Sequence, residues 1–322
     1  MPIAVGGSAF IIGLNVFVRT IIARNVAFVV RFFLIIGAVA YFTLLERKLL
    51  GHFQLRVGPN KVGFIGLGQP IADAIKLFLK EFVVPDITNR LLFVMGPCLM
   101  LTICLGIWVL YPVRFMTVHY FWGYLLFVCA SSCSIYGVVM CGWSSNSKYA
   151  YLGRVRAAAQ FISYEVCIVM IVLAIIFVCG DFNFYAIGEV GFLRLGIFGP
   201  LFVIWIVTVL AETNRAPFDF VEGESELVSG FNVEYGGVCF AIIFIAEYRM
   251  VLFMRMITGA IYLGGVEMGV MFRCLITLLV AYFIVLCRGG LPRYRYDLLM
   301  GLTWKYFLPL VLRYLAVIVM MS

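Results

Sequence analysis

The sequence predicts an all-α polytopic membrane protein, with eight transmembrane helices plus a short interfacial amphipathic helix. Three observations predict that fold class. Of the 322 residues, 64% are hydrophobic and only 12% are charged, where a soluble domain carries about 25% charge. Mean hydropathy is +1.09. The apolar residues form continuous runs, each near the roughly 20 residues a spanning helix needs, and do not alternate as strands do.

The runs place spans at residues 26–45, 91–111, 121–143, 155–179, 196–211, 235–256, 270–287 and 302–321. The first 24 residues are apolar but broken by Gly6, Gly7 and Gly13, and end on Arg19 and Arg24; a short extra helix and an irregular tail both fit. No Arg/Ser-rich transit peptide or small-residue cleavage site is evident there. Between the first two spans, Pro70 suits the first position of a helix, where its missing N–H is no loss. From there Ile71, Ile75, Phe78 and Phe82 recur at helical spacing, with Asp73, Lys76 and Lys80 on another face. Residues 69–81 are too short to span. They suit a helix lying in the interface plane, or a peripheral helix filling a gap. With no repeat, low-complexity tract or soluble domain, residues 1–322 form a single integral membrane domain. Its parts are an N-terminal extension (1–24), the interfacial helix (69–81) and an acidic loop (212–234).

Eight spans put both termini on one side. The loops after spans one, three, five and seven share the other, and hold fifteen of the twenty-four basic residues, from Arg47 to Lys305. Basic loops stay on the non-translocated side, so this face points to the matrix or cytoplasm. That topology accounts for the net charge of +8. No basic block or interleaved aromatic pattern indicates nucleic acid. The ten cysteines nearly all fall inside apolar runs, no CxxC pair occurs, and the two histidines, His52 and His119, are far apart. A metal or iron–sulfur site on this chain is not expected; the cysteines read as small buried hydrophobes, and no disulfide is indicated.

Six of the sixteen carboxylates crowd into residues 211–235: Glu212, Asp219, Glu222, Glu224, Glu226 and Glu234, against one basic residue, Arg215. Spacing of three lets Glu212 pair with Arg215 if span five stays helical. Pro217 permits a new helix, which would put Asp219, Glu222 and Glu226 on one face. Converging carboxylates cannot all ionise cheaply, and coupled acids of this kind exchange protons near physiological pH. Glu165 and Glu247 lie inside spans four and six, where a carboxylate costs on the order of 2.5–3.5 kcal/mol and usually faces a polar pathway. The bland readings are a solvated acidic loop and a Glu247 pairing with Arg249 or Arg255. In the basic loop, Gly58–Pro59 and Gly66–Leu67–Gly68 are turn signals. Gly63–Phe64–Ile65–Gly66–Leu67–Gly68 has no parallel-sheet context, so it is not a nucleotide loop. Arg47 and Arg56 are suited to a polar headgroup, a lipid phosphate or a partner protein.

Five blocks then carry a resemblance: LLERKLLGHFQLRVGPNKVGFIGLGQPIADAIKLFLKE, GWSSNSKYAYLGRVRAAAQFISYE, LAETNRAPFDFVEGESELVSGFNVEYGG, AEY and LPRYRYDLLMGLTWKYFLP, in order from Leu44 to Pro309. They resemble the quinone-site membrane subunit of NADH:ubiquinone oxidoreductase, respiratory complex I, in its mitochondrial form. The resemblance implies eight spans, a ubiquinone-access tunnel and an acidic relay coupling quinone reduction to proton translocation. It implies that Glu46, Arg47, Arg56, Asp73, Arg215, Tyr248, Arg293 and Arg295 serve the tunnel, with Asp297 beside the last two. It implies that Glu165, Glu212, Asp219, Glu222, Glu224, Glu226, Glu234 and Glu247 form the relay. Ubiquinone would be the substrate, with nothing bound covalently and with FMN and iron–sulfur clusters only on partner subunits. Partners would be the quinone-module iron–sulfur subunits, neighbouring membrane-arm subunits and membrane lipids. The location would be the mitochondrial inner membrane, multi-pass, with the basic and acidic loops facing the matrix. The sequence departs from the family pattern in its N-terminal extension, in Arg56–Val57–Gly58–Pro59 and in the short loop at 257–268. From the residues alone, two rivals stand: a self-contained ion channel or transporter, and the membrane anchor of a related hydrogenase. Absent inverted repeats count against the transporter.

Overall fold

The computed structural model describes residues 5–111, 121–184, 199–221, 223, 229–263 and 270–321. Among them there are helices and turns and no strands. In chain order they are α1 (Val5–Phe53), α2 (Gln69–Phe78), α3 (Arg90–Ile107), α4 (Gly123–Ser144), α5 (Lys148–Cys179), α6 (Gly199–Glu212), α7 (Gly237–Tyr262), α8 (Val270–Gly290), α9 (Tyr296–Leu302) and α10 (Leu308–Met321). A π-helical turn, Thr303–Phe307, joins α9 to α10.

Seven described helical stretches are long and apolar enough to cross a membrane. They coincide with seven of the expected spans. The fifth expected span corresponds to α6, whose 14 described residues reach about 21 Å against a hydrocarbon core of about 30 Å. Helix α1 covers both the N-terminal stretch and the first span, of which Val29–Phe53 has spanning character. It continues past the apolar run through Glu46, Arg47 and Lys48. Helix α5 likewise starts at Lys148, seven residues before the expected boundary. Hydropathy marks where the side chains turn polar. The backbone ladder runs on, because in lipid and at its edge a helix satisfies its own N–H and C=O groups.

Helix α7 is the centre of the arrangement, with 67% of its spanning window buried against 17% for Tyr296–Met320. It packs against α3, α8 and α1, while α5 packs against α4, α6 and α10. Trp205 of α6 is fully buried and donates its indole N–H to Thr258 Oγ1 of α7 at 3.0 Å. Helices α3 and α4 approach closely where a Cβ on Gly137 would sit 2.4 Å from Met100 Cγ, the small-residue contact that apolar solvent favours between spans.

Pro97 lies inside α3 and cannot donate to the Phe93 carbonyl four residues back. The Tyr235 hydroxyl takes that place, donating to Phe93 O at 3.2 Å with Ser144 Oγ 3.0 Å away. Its ring stacks on Phe93 at 4.1 Å and 7°. Burial pushes the Tyr235 hydroxyl well above its usual pKa, so it stays a donor. Tyr235→Phe is expected to keep the stack and cost about 1–3 kcal/mol for the stranded carbonyl, read as a lowered melting temperature of the purified assembly.

The predicted helix at 69–81 forms as α2 and ends at Phe78. Ile71, Ile75 and Phe78 are exposed in this single chain while Pro70 is buried. The loop before it turns at Gly66, with φ of +76° and Pro59 O only 2.3 Å from where a Cβ would stand. Only glycine fits there. None of the ten cysteines is in a disulfide; Cys104, Cys141, Cys167 and Cys239 are buried as expected, but Cys98, Cys129, Cys133 and Cys274 lie on the chain's outer surface. Apolar character alone does not decide burial for a helix whose outer face meets lipid.

Candidate functional site

The charged centre is built around Glu46, on the last part of α1, 4% exposed. Arg215, in the turn after α6, places Nη1 2.9 Å from Glu46 Oε1. Arg288, near the end of α8, donates to the same oxygen. Tyr248 of α7 donates its hydroxyl to Oε2 at 2.9 Å. The Arg215 guanidinium also lies 4.2 Å over the Tyr248 ring. Four segments thus meet on one carboxylate, over apolar walls that include Val39, Phe42, Val251 and Val285.

The expected Glu212–Arg215 pairing is replaced by this one. Helix α6 stops at Glu212, and Asn214 takes a left-handed φ of 48°. The turn breaks the helical i, i+3 geometry, and Arg215 reaches Glu46 instead. Glu212 is buried, and its Oε2 has no hydrogen-bond partner. It shares a cavity of about 40 Å³ with Glu247, Asn214 and Ser134, room for at least one water. Glu247 and Glu212 come from α7 and α6, so separate spans bring them to one small polar space. Among the described residues no ion pair joins Glu247 to Arg249 or Arg255; Arg249 lies over the Phe32 ring at 5.4 Å and Arg255 over the Phe42 ring at 4.9 Å.

Glu165, half-buried on α5, accepts a hydrogen bond from Ser132 of α4. Asp219 sits 3.6 Å from Arg293 Nη2, and the Tyr294 N–H donates to Pro217 O at 3.0 Å. The loop after α6 is therefore tied to the segment before α9. Residues 217–221 form turns, not the helix that Pro217 permits. Glu234 is half-buried just before α7. Glu222, Glu224 and Glu226 lie outside the described residues.

A second, outer group joins α1 to α2. Arg47 Nη1 is 2.8 Å from Asp73 Oδ2, with side chains 54% and 38% exposed. Gln69 donates to Asp73 Oδ1 at 2.9 Å. Arg56 is not part of this group; it donates to Gln54 at 2.7 Å in the open loop. Arg295 pairs locally with Asp297 at 3.1 Å, both exposed.

Sequence reasoning missed three participants. Arg288 counted only as a basic loop residue, although it contacts Glu46 across 242 residues. Ser132 carried no signal beyond being a hydroxyl in a span. Gln160, fully buried, donates to Ala211 O at 2.9 Å and Phe218 O at 3.0 Å, pinning both sides of the turn that carries Arg215. A fully polar amide deep in a 32-residue apolar helix was the available hint.

Comparison with known proteins adds to this geometry. The sequence matches the family described as NADH dehydrogenase over residues 26–319. It is 48% identical over 279 residues to the NADH-ubiquinone oxidoreductase chain 1 of Aedes aegypti, covering 86% of this chain and 89% of that one. It is 49% identical over 287 residues to the protein of the same name from Heterololigo bleekeri, covering 88% and 92%. The corresponding protein of Pecten maximus is 47% identical over 297 residues, covering 88% and 84%.

Proposed function

Because the chain belongs to the NADH dehydrogenase family, as a membrane subunit of the NADH–ubiquinone oxidoreductase, complex I, we propose that it forms the ubiquinone-access tunnel and the acidic relay of that enzyme. The observation that carries the proposal is the convergence of Arg215, Arg288 and Tyr248 on buried Glu46. A charge held there at membrane depth is costly and is suited to responding to a change of charge on a nearby headgroup. The multi-pass chain would sit in the mitochondrial inner membrane with this cluster toward the matrix.

In this reading the residues divide the work. Apolar walls accept the isoprenoid tail of ubiquinone. Asp73, held by Arg47 and Gln69, stands at the entrance on α2, whose exposed Ile71, Ile75 and Phe78 rest in the membrane interface. Arg56, Arg293 and Arg295 steer the headgroup or dock the redox arm. Glu212, Glu247 and the water-sized space between them pass the charge change on, together with Glu165, Asp219, Glu222, Glu224, Glu226 and Glu234. Two electrons and two protons reduce the quinone; the electrons arrive from FMN and iron–sulfur clusters on partner subunits, and this chain handles charge and protons.

Asp73→Asn and Glu165→Gln test the two halves separately. Each is expected to leave the complex assembled and to lower quinone reduction coupled to pumping, by roughly the 10²-fold that proton-handling groups contribute. The readouts are NADH:quinone turnover sensitive to a quinone-site inhibitor, and proton uptake in reconstituted vesicles. Normal coupled turnover in both variants sinks the proposal.

A further inference from the structure

We infer that Gln160 is a positioning residue for quinone reduction: its carboxamide, on α5, fixes the turn after α6 so that Arg215 reaches Glu46. The inference rests on the tunnel reading and names a residue that touches neither the quinone nor Glu46.

The amide nitrogen carries two hydrogens, and each has its own acceptor. Nε2 donates to Ala211 O at 2.9 Å and to Phe218 O at 3.0 Å. The opposite assignment would set the amide oxygen against two carbonyls, so the donor faces the turn. Arg215 lies between the two pinned residues, and its backbone is tied at both ends. Its N–H donates to Leu210 O at 3.1 Å, and its carbonyl accepts from the Phe218 N–H at 2.8 Å. The turn is therefore a closed loop held on α5 at two points. From it the Arg215 side chain crosses to α1 and places Nη1 2.9 Å from Glu46 Oε1. Tyr164, one turn further along α5, sets its ring 6.2 Å from that of Phe218.

Backbone satisfaction does not require this amide. Ala211 O also accepts from the Asn214 N–H at 3.3 Å, and Phe218 O from the Phe220 N–H at 3.1 Å. Both carbonyls keep a donor when the amide is removed. The amide meanwhile leaves its own Oε1 buried with no hydrogen-bond partner among the described residues, a cost that an apolar side chain avoids. What it adds is position: two bonds from one planar group stop the turn from sliding along α5. The Arg215 and Glu46 side chains are 11% and 5% exposed, so water does not bridge a gap between them. A shift of the turn by about 1 Å is enough to spoil a placed contact.

The test uses the intact purified complex and a short-chain ubiquinone, with turnover normalised to NADH oxidation by a soluble acceptor that bypasses the quinone. Gln160→Met keeps the length of the side chain and removes both donors. It should lower kcat about tenfold and leave KM within about twofold, since the placed charge acts in the reaction and not in binding. Arg215→Gln, in which Arg288 still pairs with Glu46, should lower kcat by about as much or more. The double variant should be within about twofold of Arg215→Gln, because Gln160 acts through Arg215. A double variant slower than Arg215→Gln by a further tenfold or so would mean an independent role, and natural kcat in Gln160→Met would mean none. Either overturns the inference and leaves the tunnel reading standing, whereas natural kcat in Arg215→Gln overturns both. Where Gln160→Met does not assemble, Gln160→Asn takes its place in the cycle, as Arg215→Lys does for Arg215→Gln. Failure of both Gln160 variants to assemble would show that the residue serves the fold alone, and the inference falls.

Discussion

Glu46→Gln is expected to prevent stable assembly of the complex. The substitution keeps the shape and the Tyr248 hydrogen bond but removes the carboxylate that Arg215 and Arg288 share. Arg215 and Glu46 have side chains 11% and 5% exposed, so water cannot replace the lost charge. Breaking such a buried pair costs about 3–5 kcal/mol, since the partner is left charged and uncompensated. Here two guanidinium groups, both drawn to Oε1, would be left repelling one another. Arg288 is 39% exposed, so solvent screens part of its share and the figure falls toward the lower end. The measurement is the amount of assembled complex on a native gel, with the melting temperature of whatever survives. Adding Arg288→Gln to Glu46→Gln should restore part of the loss, because one repelling charge goes. Wild-type assembly and melting in the single variant would show that Glu46 does not organise these segments.

Arg249→Met is expected to do the reverse and stabilise the complex. Arg249 is fully buried on α7, and its three guanidinium nitrogens have no hydrogen-bond partner among the described residues. A cation over the face of Phe32 at 5.4 Å recovers about 0.5–2 kcal/mol, while a central arginine costs about 2.5–3.5 kcal/mol on insertion scales. Methionine is unbranched and apolar and fills most of the same space, so it removes the cost without opening a large cavity. The gain should be about 0.5–3 kcal/mol by that difference, seen as a higher melting temperature with turnover unchanged. A lower melting temperature would instead reveal an anion that reaches Arg249 in the assembled enzyme.

Much of the fold was legible because lipid imposes one rule, that a spanning segment be long, apolar and internally hydrogen-bonded. Seven spans satisfy it; α6, with 14 described residues, falls short in the same terms. The helix ends were less legible. Lys148, Arg154 and Arg156 read as loop residues by charge, yet all lie on α5. The candidate site was legible as a set of residue types and illegible as a set of pairs. Glu212 and Arg215 are neighbours in sequence, and local spacing suggested their pairing; one left-handed residue, Asn214, redirects Arg215 to a carboxylate 169 positions away. Arg288 could not be found by spacing at all. The Arg47–Asp73 pair joins two elements that hydropathy located separately, and only their packing brings it together.

The Glu46 junction also has a timing. Its carboxylate enters the membrane with the first span, but the contact with Arg288 is closed by a residue made 242 positions later. At about 5–20 residues per second of synthesis, Glu46 waits roughly 10–50 s for that partner. During that interval the nascent chain carries a membrane charge with its strongest ligands missing. An insertase or assembly factor that shields α1 until α8 arrives would shorten its exposure to degradation. Chains released before Arg288 should be retained by that machinery and destroyed, which makes one ion cluster a record of whether translation reached its end.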